Sequence, residues 1–114
     1  MEVSGEDYRV FYNSTTATVA CQGSLRLYGT AGYSDIAELL NTVADQHPAI
    51  LILDVRQLEF LNSSGLNTIS KFIIRVRNNN VSKLIIKGTR QIPWQSRTLG
   101  SLQRLMTDLK VELE

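Results

Sequence analysis

Ala49-Ile-Leu-Ile-Leu-Asp54 is followed, eight residues after its last position, by the start of Asn62-Ser63-Ser64-Gly65. These two stretches determine how this 114-residue chain folds. The first stretch is short and apolar on both faces, which is typical of a central strand that is covered on each side and ends at Asp54. The second precedes apolar residues at helical spacing, and Asn and Ser are preferred helix caps. The pattern therefore predicts a buried strand, a connection over residues 55–61, and an amphipathic helix.

Hydrophobic periodicity and turn residues predict the remaining elements. Gly23 breaks the second strand of an N-terminal β-hairpin, Ser34 caps the first helix, and Pro48 stops it. The order β-β-α-β-α-β-α-β predicts one α/β domain over residues 1–114, a mixed β-sheet whose later strands are parallel and carry packed helices. The other predicted elements are strands 8–12 and 16–21, an exposed glycine loop at 29–32, a helix ending at 78–80, a strand 83–87 closed by Gly88, a helical region from Pro93 to about Met106 with a break at Gly100, and a strand 111–113.

The composition excludes several classes of protein. With 43% hydrophobic residues, 20% charged residues and a net charge of +1, the chain is not collagen-like, low-complexity or intrinsically disordered. Near-neutrality disfavours indiscriminate polyanion binding. The charge is unevenly spread, since residues 1–57 hold seven acidic and three basic side chains and residues 58–114 hold four and nine. The second half therefore predicts a basic face for docking of a protein.

The residues of catalysis and metal binding are sparse. A lone histidine, His47, precedes a proline at a helix end, and a lone cysteine, Cys21, lies in a β-branched strand pattern typical of the core. We therefore expect no enzyme activity, no metal and no cofactor. The acidic N-terminus is unlike a secretory signal, and no apolar run approaches the roughly 18–20 residues of a membrane span, so we expect a cytoplasmic protein without direct membrane contact.

The Asn62-Ser63-Ser64-Gly65 segment admits two interpretations. Its side chains can cap the helix that follows, which is the common role of Asn and Ser at this position. The same place suits a phosphoserine, since a phosphate dianion meets the positive end of the helix dipole and free backbone N–H groups. Phosphorylation there would spare the fold and change the surface.

These residues resemble a known family. Leu51-Ile-Leu-Asp54 followed by Leu58-Glu-Phe-Leu-Asn-Ser-Ser-Gly-Leu66 is similar to the signature of STAS domains, of the stand-alone anti-sigma factor antagonist type. Gly23-Ser-Leu25 and residues 83–88 match further strands of that family, so the resemblance covers nearly the whole chain. It implies a STAS-like fold and a bacterial regulator of transcription.

The family's mechanism implies that Ser63 is the phosphoacceptor, with Ser64 as second choice and Asn62, Ser64 and Gly65 as its surroundings. The resemblance implies a GHKL-type serine kinase that doubles as an anti-sigma factor, and a metal-dependent serine phosphatase that removes the phosphate. A protein of this kind is a partner-switching phosphoprotein in signal transduction and not an enzyme.

Two residues depart from the family pattern. Asn62 stands where the family usually has Asp, which favours a non-phosphorylated scaffold or docking domain as the alternative. Arg26 stands where antagonists often carry Asp, which indicates a different partner. The residues that we expect to contact a partner are Arg26, Tyr28, Lys71, Arg75 and Trp94.

Two further hypotheses belong to other classes. Residues 71–97 hold seven basic and no acidic side chains, with Trp94 available for stacking, but nucleic-acid binding ranks below protein docking because these cations need not converge. A small-molecule STAS module would need a sizeable cavity near Ser63.

Overall fold

Six strands form one mixed sheet in the computed structural model, which describes residues 1–114. In chain order and in sheet order they are β1 (Glu2–Ser4), β2 (Tyr8–Asn13), β3 (Thr18–Leu25), β4 (Ile50–Leu61), β5 (Lys83–Gly88) and β6 (Lys110–Leu113). β1, β2 and β3 pair antiparallel, and β3, β4, β5 and β6 pair parallel. The hairpin followed by parallel strands agrees with the predicted fold class.

The helices lie in the connections between the parallel strands. They are α1 (Gly29–Gly32), α2 (Ser34–Asp45), α3 (Ser63–Asn79), α4 (Pro93–Thr98) and a 3₁₀ helix (Leu99–Leu105) that continues directly from α4. α2 and α3 pack on each other and bury apolar residues at helical spacing, which include Leu40, Val43, Phe72 and Ile73. None of these helices is long and apolar enough to cross a membrane.

The helices cover one face of the sheet only. The buried strand residues alternate along their strands, among them Val10, Val19, Leu53 and Ile86, and they form a single core with the helices. Residues of the opposite face stay in contact with solvent, since Ile50 is 52% exposed. The prediction that residues 49–53 form a strand covered on each side is therefore wrong for the outer face.

β4 is longer than its sequence pattern predicts. It continues for seven residues beyond Asp54, so residues 55–61 are strand and not a connection. Asp54 does not end the strand, because residues after it pair with β3, and both of its carboxylate oxygens accept hydrogen bonds from Arg56 on the open face of the sheet. β3 follows it in parallel to Leu25. Gly23 lies inside β3 with φ +88°, where it makes a register shift instead of a break.

Three local predictions are also corrected. The N-cap of α2 is Tyr33, because the Ser34 hydroxyl donates to the carbonyl of Ala31 and makes no cap. The exposed glycine loop forms the helical turn α1. The last helical region changes type at Leu99, one residue before Gly100, and β1 was not predicted at all.

Candidate functional site

Asn62 is the N-cap of α3 and uses both ends of its amide. Its Oδ1 accepts from the backbone N–H of Gly65 at 2.9 Å and from the Tyr33 hydroxyl at 2.7 Å. Its Nδ2 donates to the carbonyl of Leu27 at 2.7 Å. One side chain therefore connects the start of α3 to α2 and to the segment between β3 and α1.

The two serines after Asn62 have different surroundings. Ser64 is half-buried, and its Oγ accepts from the backbone N–H of Gly29 at 3.2 Å, which ties α1 to α3. Ser63 is exposed, and its hydroxyl makes no hydrogen bond within the protein. Ser63 is thus the hydroxyl that a second protein can reach without breaking a contact of the fold.

Gly65 lets the start of α3 lie close to Tyr33 and to the end of β4. A Cβ at this position would collide with a methyl group of Leu61 and would lie 2.7 Å from the hydroxyl oxygen of Tyr33. Tyr33 is only 1% exposed, and this burial raises the pKa of its phenol. The Tyr33 hydroxyl therefore acts as a neutral donor to Asn62 and fixes the position of the helix start.

The segment before α1 presents two of the predicted partner-binding residues beside this site. Arg26 lies between Leu25 and Leu27, whose carbonyls both accept hydrogen bonds from Asn62. Its guanidinium stacks on the ring of Phe60 at 4.6 Å and has no carboxylate partner. Tyr28 is 90% exposed and precedes Gly29, the residue bonded to Ser64.

Lys71 lies on the same side of α3 as Ser64. Both line a cavity of about 160 Å³ between α1, α2 and α3. This volume is below the 300–1,000 Å³ of typical small-molecule sites, so the cavity does not favour the small-molecule hypothesis. Arg26 and Tyr28 flank Leu27, which is bonded to the start of α3, and Lys71 lies about 12 Å further along that helix than Ser63. We call Ser63, Arg26, Tyr28 and Lys71 together the Ser63 surface.

Arg75 and Trp94 each make a contact within the fold. Arg75 follows Ser63 by twelve helical residues, a rise of about 18 Å, and it donates to Asp45 at 2.9 Å. The Trp94 indole N–H points inward and donates to the carbonyl of Leu58 at 3.1 Å. Arg75 is therefore far from Ser63 along α3, and Trp94 has a structural contact of its own.

The basic segment 71–97 also separates in space. Arg75 is paired with Asp45, and Arg90 donates to the carbonyl of Leu113 beside β6. Lys87 lies in register with Asp54 on the open face of the sheet, away from the helices. The cations therefore do not form one stripe that could follow a nucleic-acid backbone.

Phe60 and Tyr33 belong to the site but were not predicted from the sequence. Residues 55–61 were interpreted as a connection, so Phe60 was not expected on a strand, where it is 40% exposed. Tyr33 directly follows the predicted exposed glycine loop at 29–32, and no local pattern indicated that it is buried. Cys21 is buried as predicted, and burial raises the pKa of its thiol to about 12, which keeps it unreactive.

Known structures share this fold. A chain in the crystal structure of the diguanylate cyclase SiaD in complex with its activator SiaC from Pseudomonas aeruginosa aligns with 100% of this chain and 99% of its own length, with a TM-score of 0.75 and 10% sequence identity. The structure of SiaC of Pseudomonas aeruginosa aligns with 99% of this chain and 93% of its own, with a TM-score of 0.66 and 11% identity. These likenesses confirm the predicted STAS-like α/β fold, and at such identities they show the fold alone. By sequence, the chain matches no protein-family model and no curated protein.

Proposed function

We propose that this protein is a regulatory interaction module in which phosphate on Ser63 switches the docking of a partner protein. The observation that carries the proposal is that three adjacent residues at the start of α3 have different structural roles. Asn62 and Ser64 make the contacts that hold the fold, and Ser63 has an exposed hydroxyl without a structural role. Its modification would therefore leave the fold intact.

The physical effect of the switch follows from charge. A phosphoserine adds a charge of about −1.5 to −2, and the N-terminus of a 17-residue helix stabilises it. The unmodified surface presents Arg26 and Lys71, so it suits a partner with carboxylates. A dianion at Ser63 repels the carboxylates of such a partner and so weakens the attraction.

The resemblance to anti-sigma factor antagonists supplies the expected partners. They are a GHKL-type serine kinase that is also an anti-sigma factor, and a metal-dependent serine phosphatase. A protein partner also fits the structural neighbour SiaC, which is described as the activator of an enzyme with which it forms a complex. The function on this proposal is signalling by exchange of partners, without catalysis by this chain.

A non-phosphorylated docking domain is the second candidate, and Asn62 favours it. This chain has no carboxylate at the position before Ser63, where the resembling antagonists have one. On this alternative the Ser63 surface binds its partner constitutively, and Ser63 contributes only a neutral contact.

A phosphorylation assay separates the two candidates. The protein is incubated with ATP and each GHKL-type serine kinase encoded near its gene, and the phosphate is mapped by mass spectrometry. The switch predicts one phosphate at Ser63, no transfer to Ser63→Ala, and retained transfer to Ser70→Ala, a matched serine on the same helix. Binding of a kinase without transfer supports the docking domain, and no binding to any of them contradicts both candidates.

A binding assay then tests the effect of the charge. Against a kinase that binds, Ser63→Glu is expected to weaken the complex at least tenfold, and Ser63→Ala is expected to leave it within about twofold. Equal affinity of the two variants would show that charge at position 63 does not control docking.

A further inference from the structure

A second cavity, of about 340 Å³, opens at the far end of α3. It lies where α3 ends, β5 begins and the 3₁₀ helix ends. Three cationic side chains line it, Arg77, Lys83 and Arg104, against one carboxylate, Asp108. The formal net charge of this cleft is therefore +2. None of the four side chains takes part in an ion pair.

One wall of the cleft holds an unused buried hydroxyl. Ser82 is only 7% exposed and lines the cavity, and its hydroxyl makes no hydrogen bond within the protein. Every polar side-chain atom that is fully closed off from solvent has a hydrogen-bond partner in this protein, so the unpartnered Ser82 hydroxyl must reach solvent. The Ser82 hydroxyl therefore faces the cleft, where a ligand can bond to it.

Arg77 is held in place across the cleft. Its Nη1 donates to the carbonyl of Leu105 at 3.1 Å, which joins the end of α3 to the end of the 3₁₀ helix. Its Nε and Nη2 donate to the side chain of Asn78. A guanidinium fixed in this way loses little freedom when an anion binds, which lowers the entropic cost of binding.

The net positive charge of the cleft is larger than the dipoles of the two helix C-termini beside it account for. Cations commonly lie near helix C-termini, where the dipole is equivalent to about half a negative charge. The two helix ends at this cleft thus require about one positive charge in total. The cavity beside Ser64 holds one cation, Lys71, and the largest cavity, on the open face of the sheet, holds three carboxylates against Arg56.

We propose that this cleft binds a small anion bearing phosphate, such as a diphosphate or the monoester of a small metabolite. Charge-assisted bonds from Arg77, Lys83 and Arg104 and the free hydroxyl of Ser82 match the many acceptors of a phosphate. The volume lies at the lower end of small-molecule sites, which limits the ligand to a phosphate with a small body. A helix of 17 residues, about 25 Å, separates the cleft from Ser63, so this is a site distinct from the Ser63 surface.

Titration followed by NMR tests the proposal. Inorganic pyrophosphate is added to the ¹⁵N-labelled protein at constant ionic strength, and glycerol 3-phosphate is added to a second sample. We expect saturable amide shifts confined to residues that line the cleft, and the tighter of the two probes distinguishes an inorganic from an organic source. Ser82→Ala and Arg104→Gln are each expected to weaken binding at least fivefold.

Arg97→Gln is the matched control, since Arg97 is an exposed cation outside the cleft and without an ion pair. Lys83→Gln replaces Arg104→Gln if thermal unfolding shows that the latter is unstable. Shifts that do not saturate, or an equal loss of binding in Arg97→Gln, would show diffuse attraction and overturn the proposal. So would unchanged binding in Ser82→Ala together with Lys83→Gln.

Discussion

Asn62 shows how one side chain can decide the shape of the Ser63 surface. As an amide it donates to Leu27 and accepts from Tyr33 and Gly65 at the same time. A carboxylate can accept the bonds from Tyr33 and Gly65, but it cannot donate one to Leu27. The position that departs from the pattern of the resembling antagonists therefore holds Leu27 against the start of α3, while Ser64 holds Gly29, and an acidic residue would not be equivalent here.

Asn62→Asp is expected to destabilise the protein and loosen this segment. The substitution retains the cap of α3 but places a carboxylate oxygen opposite the Leu27 carbonyl, which is left without its donor, at a cost of about 2 kcal/mol. Urea unfolding measures the loss, and hydrogen exchange of the Gly29 amide reports the segment. Asn67→Asp, the same change at an exposed position of α3, should be neutral. An unchanged free energy of unfolding together with unchanged exchange at Gly29, whose own bond is to Ser64, would show that the amide donor has no positioning role.

The elements were predictable where one local signal dominates. Asn62, the apolar periodicity of residues 66–76 and the Asn78–Asn80 terminus predicted α3 within about a residue, and Asn80 ends it in the left-handed conformation. β4 was not predictable in full, because its second half is a strand only through pairing with β3, which is distant in sequence. The same distinction holds for the residues of the candidate site. Ser63 and its neighbours were predicted from one motif, whereas the positions of Phe60 and Tyr33 depend on tertiary contacts.

The contact between α2 and α3 makes stability depend on pH. Arg75 and Asn79 on α3 hydrogen-bond the Asp45 carboxylate at the end of α2, and these bonds lower its pKa from 3.8 to about 2. Because the pKa of Asp45 is lower in the folded state than in the unfolded state, its ionised carboxylate stabilises the fold at pH values above the unfolded-state pKa. This contribution is lost as the pH falls from about 4 to about 2.

Asp45→Asn is therefore expected to be less stable than the wild type at pH 6 and to approach it at pH 2.5. Urea unfolding at several pH values measures the difference. Arg75→Gln should remove the larger share of the pH-dependent part, because Asn79 still donates to Asp45 in that variant. A difference that stays constant from pH 6 to pH 2.5 would assign the effect of Asp45 to packing and not to its charge.

The sheet has two unlike faces. Parallel strands are usually covered on both faces, yet three parallel pairs here have helices on one side only. The open face is made compatible with water by charges on its strands, where Arg56 pairs with Asp54 and Glu114, and Lys110 pairs with Glu112. The apolar run of residues 49–53 did not reveal this, since Ile50 and Ile52 have the composition of a core but point outward.

Adjacent residues of β4 give a direct measure of this asymmetry. Leu53 is 1% exposed under the helices, and Ile52 lies on the open face in register with Ile85. Leu53→Thr removes apolar volume from the core and buries a hydroxyl, so a loss of about 3 kcal/mol or more is expected. Ile52→Thr keeps a β-branched side chain on a wet face and should cost about 1 kcal/mol. The free energy of unfolding of both variants decides the point, because equal losses would mean that the outer face is covered in solution.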